Sequence, residues 1–220
     1  IEKFPEIAQR MAEEGHELGL HSNRHDYMQH MTKEEALDDL SECQSILTET
    51  TGVSARLFRP PGGLYSQDLL DASRELGLSI VFWSVDPHDW DKEKASQVLP
   101  YLLSHASAGD IVLMHDLTEH SVSAALSFID TMYAKGYEFC TVSELAALSG
   151  ETLSPGTYYN RWKLAARSWQ SSSARTRSTK PPKASMATCP TIRRCARFRS
   201  CGRRRRMESA WLCRRCMATR

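Results

Sequence analysis

The feature that most constrains this chain is an alternation running through its first two thirds. Helix-patterned stretches give way to short apolar runs, and several of those runs end on a titratable residue. Phe4, Ile7, Ala8 and Met11 recur at helical spacing until Gly15 stops the run, and a short strand follows at 16–21. Thr32 and Glu35 form a T-x-x-E capping box that opens a helix through Ala36, Leu40 and Leu47 to Gly52. RLFRPPG (56–62) reads as a strand entering a rigid Pro-Pro turn, and Ser66 caps a helix that Gly77 ends. The β-branched and aromatic run LSIVFWSV (78–85) predicts a buried strand. Beyond it the pattern predicts a helix over 94–107, a strand over 110–116 and a helix over 120–135. A strand over 137–142 and a closing helix over 143–149 complete it. Strand–helix alternation of this kind predicts a parallel sheet, open or closed into a barrel.

In either architecture chemistry collects at the C-terminal ends of the strands. His21 ends one strand, Arg59 ends the next, Asp86 and Asp89 follow the third, and His115 ends the fourth. A purely structural domain has no reason to deliver titratable groups to one face four times.

Each motif also has an ordinary reading. His21-Ser22-Asn23-Arg24-His25 is a candidate two-imidazole metal site, or a loop with surface and capping histidines. Arg59-Pro60-Pro61-Gly62-Gly63 is a plain turn, or a device that holds an Arg against a carboxylate and offers glycine amides to an oxyanion. Asp86-Pro87-His88-Asp89-Trp90 is a polar loop with a partly buried Trp, and His115 a core histidine satisfied by hydrogen bonds. Four such stretches, in order and suitably separated, favour the functional readings together.

HSNRH (21–25), RPPGG (59–63), DPHDW (86–90) and LMH (113–115) resemble successive motifs of the polysaccharide deacetylases, the NodB-homology family also called carbohydrate esterase family 4. The resemblance covers about residues 1–156. It implies an α/β fold, a distorted (β/α) barrel, and metal-dependent removal of N-acetyl groups from amino-sugar polymers, peptidoglycan or chitin-like. It matches His21 and His25 to metal-binding histidines, with Zn²⁺ the expected ion and Co²⁺, Mn²⁺ or Ni²⁺ as alternatives. Arg59 matches the Arg that orients the catalytic base, and Gly62 and Gly63 the turn that gives an N–H to the oxyanion. Asp89 matches the residue that steadies the catalytic His, Trp90 and Leu113 the walls of the acetyl pocket, and His115 the general acid. These roles suit amide hydrolysis, which needs an activated water, a stabilised oxyanion and a proton for a poor leaving group.

The family's first motif, Thr-Phe-Asp-Asp-Gly, carries the catalytic base and an acidic metal ligand, and it is absent from this sequence. The resemblance therefore implies a domain lacking its first strand and expected to be inactive as it stands. Asp26 is the nearest substitute acid. The rival functions are a catalytically dead glycan-binding relative and a nucleic-acid-binding protein.

The second rival comes from the other end of the chain. Residues 1–156 hold 10 Lys and Arg against 26 Asp and Glu, whereas residues 157–220 hold 18 against Glu208 alone. The break, beside Pro155-Gly156, marks 157–220 as a basic tail separate from a domain at 1–156. Three readings stand for it: a polyanion-binding arm, a metal module at Cys213-x-x-Cys216, or disorder or a shifted reading frame with no fold. No nucleic acid is expected to bind residues 1–156. No apolar window approaches the ~18 residues of a membrane span. A polymeric cell-wall substrate implies an extracellular or wall-associated parent protein.

Overall fold

A computed structural model of the chain describes residues 1–164, 212–213 and 216–219. Its helices are α1 (Pro5–Glu13), α2 (Lys33–Thr51), α3 (Gln67–Glu75), α4 (Val98–His105), α5 (Glu119–Ala134) and α6 (Val142–Ser149). Its strands are β1 (Glu17–Leu18), β2 (Leu57–Phe58), β3 (Ser79–Val81), β4 (Tyr137–Cys140), β5 (Tyr158–Tyr159), β6 (Leu212–Cys213) and β7 (Cys216–Thr219). Helix starts follow local chemistry. Thr32 with Glu35, and Thr141 with Glu144, close reciprocal capping boxes, while Ser66 and Thr118 cap α3 and α5. Among the described residues no helix is long and apolar enough to cross a membrane.

The sheet at the centre is parallel. β3 lies between β2 and β5, with Phe58 opposite Ile80 and Ile80 opposite Tyr158. Leu20, just past β1, bridges Phe58 in parallel, and Val85 bridges Val112. The pleat sends neighbouring residues to opposite faces. Phe58 and Ile80 therefore join a core with Leu40 and Leu69, whereas Leu57 and Val81 join one with Ile111, Val142, Leu145 and Trp162. A third cluster joins Val85, Val98, Leu102, Phe128 and Met132 under α4 and α5. Each fully buried side chain of this size contributes roughly 1.5–3 kcal/mol.

Three expectations need correction. The run 78–85 pairs as a strand only over Ser79–Val81; the Phe82 N–H still reaches the Tyr159 carbonyl, but regular pairing resumes only as the Val85 bridge. The stretch 110–116 makes isolated bridges at Asp110 and Val112 instead of a strand. The helix expected over 94–107 is a 3₁₀ turn at Lys92–Lys94 followed by α4 from Val98.

The chain past Pro155-Gly156 continues into the fold. β5 pairs with β3, and Trp162 is buried with its indole N–H donated to Glu151, so packing runs beyond the break in charge. Residues 165–211, on which most of the tail reading falls, lie outside the described residues. The segments beyond them that are described do pair: β6 runs antiparallel to β1 and β7 antiparallel to β4.

Candidate active site

The strand ends bring the motif residues together. His21 follows β1 and is buried. Its Nδ1–H donates to the Arg59 carbonyl at 2.6 Å, and its Nε2 accepts from Arg59 Nη2 at 3.0 Å. Burial, reinforced by the Arg59 charge, lowers the His21 pKa to about 3, so the ring is neutral near neutral pH. A neutral imidazole with Nδ1–H tied to a carbonyl is the tautomer that ligates a metal through Nε2; here that lone pair is engaged by Arg59 Nη2, so an ion would take it only with the guanidinium moved aside. His25, exposed at the mouth, sets its ring 4.9 Å from that of His21, edge to face at 81°.

The loop between them is bent against backbone preference, with φ of +65° at Ser22 and +61° at His25. Two hydrogen bonds hold it: His25 N–H to Ser22 Oγ, and Asn23 N–H to the Asp39 carboxylate on α2. Burial leads the causes that raise the Asp39 pKa. Asp39 has no spacing signal that links it to the histidines, and sequence reasoning missed it.

Arg59 follows β2, buried, its N–H on the Leu20 carbonyl and its guanidinium 5.9 Å from the centre of the Trp83 ring. The next turn needs both glycines. Gly62 and Gly63 sit at φ of +66° and +71°, and a Cβ would stand 2.7 Å from the Tyr27 ring and 2.8 Å from the Trp83 ring, respectively. The Gly63 N–H is committed to the Pro60 carbonyl.

Across the site Asp89 and His115 form a dyad. Asp89 is fully buried; one carboxylate oxygen takes His115 Nδ1–H and the other the His115 backbone N–H, both at 2.7 Å. His115 Nε2 is thereby left as the working end of a ring that remains partly exposed. Asp86 instead accepts the His88 N–H. Trp90 is exposed, 5.9 Å from the His88 ring, and Leu113 is buried. Exposed apolar side chains (Tyr27, Leu64, Tyr65, Trp90 and Leu117) lie on the same loops that carry the site.

His21 and His25 fit a divalent ion in ligand type and, for His21, in tautomer. Among the described residues no third His, Cys, Asp or Glu groups with them. Asp26 is exposed.

Parallel strands whose C-terminal ends gather paired imidazoles, an Arg and an imidazole–carboxylate dyad define an α/β protein with the layout of an acid–base hydrolase. The polysaccharide deacetylase family model matches residues 1–81. A peptidoglycan-N-acetylglucosamine deacetylase of Bacillus cereus is 31% identical over 150 residues, 66% of this chain and 70% of that protein. This chain belongs to the polysaccharide deacetylase family. The peptidoglycan-N-acetylglucosamine deacetylase of Listeria monocytogenes is 33% identical over 155 residues, 70% of this chain but 32% of that protein. The chain thus spans about a third of the length of several curated relatives it matches. Among solved structures, a family 4 acetyl xylan esterase from Clostridium thermocellum with a cobalt ion superposes at TM-score 0.67 with 28% identity, covering 73% of this chain and 80% of that one. A mutant of a Bacillus anthracis family 4 pseudoenzyme with restored activity superposes at TM-score 0.61 with 25% identity, covering 66% of this chain and 53% of that one.

Proposed function

We propose that this chain carries part of the active site of a deacetylase that hydrolyses N-acetyl groups on the amino sugars of a cell-wall glycan. The observation that carries the reading is the Asp89–His115 dyad beside the His21–His25 pair, close enough that His115 is among the charges acting on His21. His21 and His25 would hold a divalent ion, which when bound supplies a Lewis acid for the acetyl carbonyl and its attacking water. The chain's own residues account for the rest. His115 gives a proton from Nε2 to the leaving amine, because Asp89 holds Nδ1–H and so directs Nε2 into the site. Arg59 sets the His21 ring through its carbonyl at Nδ1; its guanidinium, which holds Nε2 in this structure, would yield that nitrogen to the ion. In a bound complex the same guanidinium would orient a catalytic carboxylate. With Gly63 committed to Pro60, the Gly62 amide is the turn's candidate donor to the oxyanion. Trp90 and Leu113 wall the acetyl group, and the exposed aromatic rim suits the apolar faces of pyranose rings. A wall polymer as substrate places the working protein outside the membrane.

The test is acetate release from N-acetylated peptidoglycan fragments and chitin oligomers with added Zn²⁺ or Co²⁺, by the chain extended to carry the Thr-Phe-Asp-Asp-Gly motif that supplies the base. His115→Ala should abolish release, and His21→Ala should abolish its metal dependence. Release that ignores His115 would sink the reading.

A second reading has its own support. A family pseudoenzyme shares the fold, and no third metal-binding side chain groups with His21 and His25 among the described residues. Glycan binding without acetate release, unaffected by His115→Ala, would establish a binding relative.

A further inference from the structure

Asp89 is gripped at both of its ends. Its carboxylate is spent wholly on His115, as described, and its backbone carbonyl accepts two further hydrogen bonds from the first turn of α5. Ser121 Oγ–H donates at 2.8 Å and His120 Nε2–H at 2.9 Å. Ser121 is fully buried, and Thr118, the N-cap of α5, lies 2.8 Å from its hydroxyl. Because the Ser121 proton goes to Asp89, Thr118 must donate to Ser121, which makes a chain of hydroxyls ending on the Asp89 carbonyl.

This grip comes where the backbone most needs it. His88, immediately before Asp89, has a φ of +53°, a conformation that residues with side chains seldom hold unless their surroundings impose it. Both Asp89 oxygens are bonded to a single residue, so any turn of the Asp89 backbone is transmitted to the His115 ring. The loop from His115 to Ser121 therefore closes on Asp89 twice, once through the imidazole and once through the hydroxyl.

We propose that Ser121, assisted by His120, is a positioning residue. It fixes the Asp89 backbone and, through Asp89, the tautomer and direction of His115. Its catalytic consequence rests on His115 acting as the proton donor proposed above; the geometric part does not.

The experiment uses the full chain labelled with ¹⁵N-histidine, comparing the parent, Ser121→Ala and Ser121→Thr. The His115 Nδ1–H resonance is assigned by its loss in His115→Gln. In the parent it should be far downfield and slow to exchange with water. In Ser121→Ala its exchange should speed up by about tenfold or more, the signature of a dyad that opens more often. Ser121→Thr, which keeps the hydroxyl, should restore it. If Ser121→Ala does not fold, His120→Ala, at a half-buried position, should show the same change more weakly. In acetate release by the extended, Asp-Asp-bearing chain, the Ser121→Ala loss should fall on kcat, by roughly ten- to a hundredfold, with KM little changed. An unchanged Nδ1–H resonance in a folded Ser121→Ala or His120→Ala chain would overturn the proposal, since the hydroxyl would then only satisfy a buried carbonyl. A parent extended to carry the Asp-Asp motif that still releases no acetate counts against the deacetylase reading, while the imidazole resonance of the full chain still decides the positioning role.

Discussion

The carboxylate of Asp39, on α2, accepts the backbone N–H of Asn23, 3.0 Å from one oxygen and 3.3 Å from the other. It thereby ties the loop of the two candidate metal histidines to a helix 16 residues further along the chain. Left-handed backbone at a residue with a side chain costs about 1–2 kcal/mol, and this loop has two such residues, Ser22 and His25. Asp39→Ala removes an anchor that offsets that strain. We expect a loss of about 1.5–3 kcal/mol in urea unfolding. We also expect Co²⁺ affinity, measured by titration calorimetry, to weaken roughly ten- to a hundredfold. Unchanged affinity in the folded variant would show that the loop holds itself.

Asp39 also gives a pH dependence whose sign follows from its burial. Its pKa is raised in the folded chain, so between the unfolded value and the folded one the native state holds a proton that the unfolded state has lost. That contribution to stability is fully present below the unfolded pKa and is lost as pH rises through the folded one. An asparagine side chain at this position does not titrate. The penalty of Asp39→Asn should therefore be largest at the acid end and shrink as pH is raised from about 4 to 6. Unfolding curves of both proteins across that range check it, and a penalty that grows with pH would refute the assignment.

Gly62 and Gly63 look alike in sequence and should behave differently. Alanine at either must hold a positive φ, at about 1–2 kcal/mol. At Gly62 the new methyl meets the Tyr27 ring, which is 63% exposed and free to swing aside. At Gly63 it meets Trp83, which packs against the inner core and carries the Arg59 guanidinium on its face. Gly63→Ala should accordingly lose roughly a further 1–3 kcal/mol from overpacking. Denaturant midpoints of the two variants should separate in that order.

What the sequence made legible was local. The Thr32–Glu35 capping box and the Gly52 stop bound α2 because every partner lies within a turn. The pair His21–His25 could be nominated from its place at a strand end, and Asp89–His115 only through the resemblance of DPHDW and LMH to the family's motifs. Strand extent was not legible in the same way. Phe82, Trp83 and Ser84 have strand-forming neighbours, yet where pairing stops depends on β5 and on Val112, which composition at 78–85 does not reveal. Asp39 and Ser121 escaped for a related reason. Each sits on a helix where an acidic or hydroxyl residue ordinarily faces water, and only the tertiary fold brings it to a backbone group of the site.

The dyad itself yields the sharpest substitution, Asp89→Asn. Both Asp89 oxygens accept, one from the His115 backbone N–H and one from Nδ1–H, and the Asp89 side chain itself is wholly out of water. Asparagine has a single acceptor oxygen. The backbone N–H cannot lose its proton or turn away without moving the chain, so it should claim that oxygen. The amide nitrogen of the new side chain must then face Nδ1, and two donors cannot share a hydrogen bond. The imidazole should resolve the conflict by moving its proton to Nε2, which reverses the tautomer and turns Nδ1 into an acceptor. Asp89→Asn should therefore keep the fold at a cost of about 1.5–3 kcal/mol. It should show the Nε2–H form of His115 in its ¹⁵N shifts, and lower acetate release by the extended, Asp-Asp-bearing chain by roughly 10²–10⁴-fold, since the ring loses the partner that fixes its tautomer and direction. Retention of the Nδ1–H form in Asp89→Asn would mean that the side chain or the loop has rotated, and that Asp89 does not dictate the His115 tautomer.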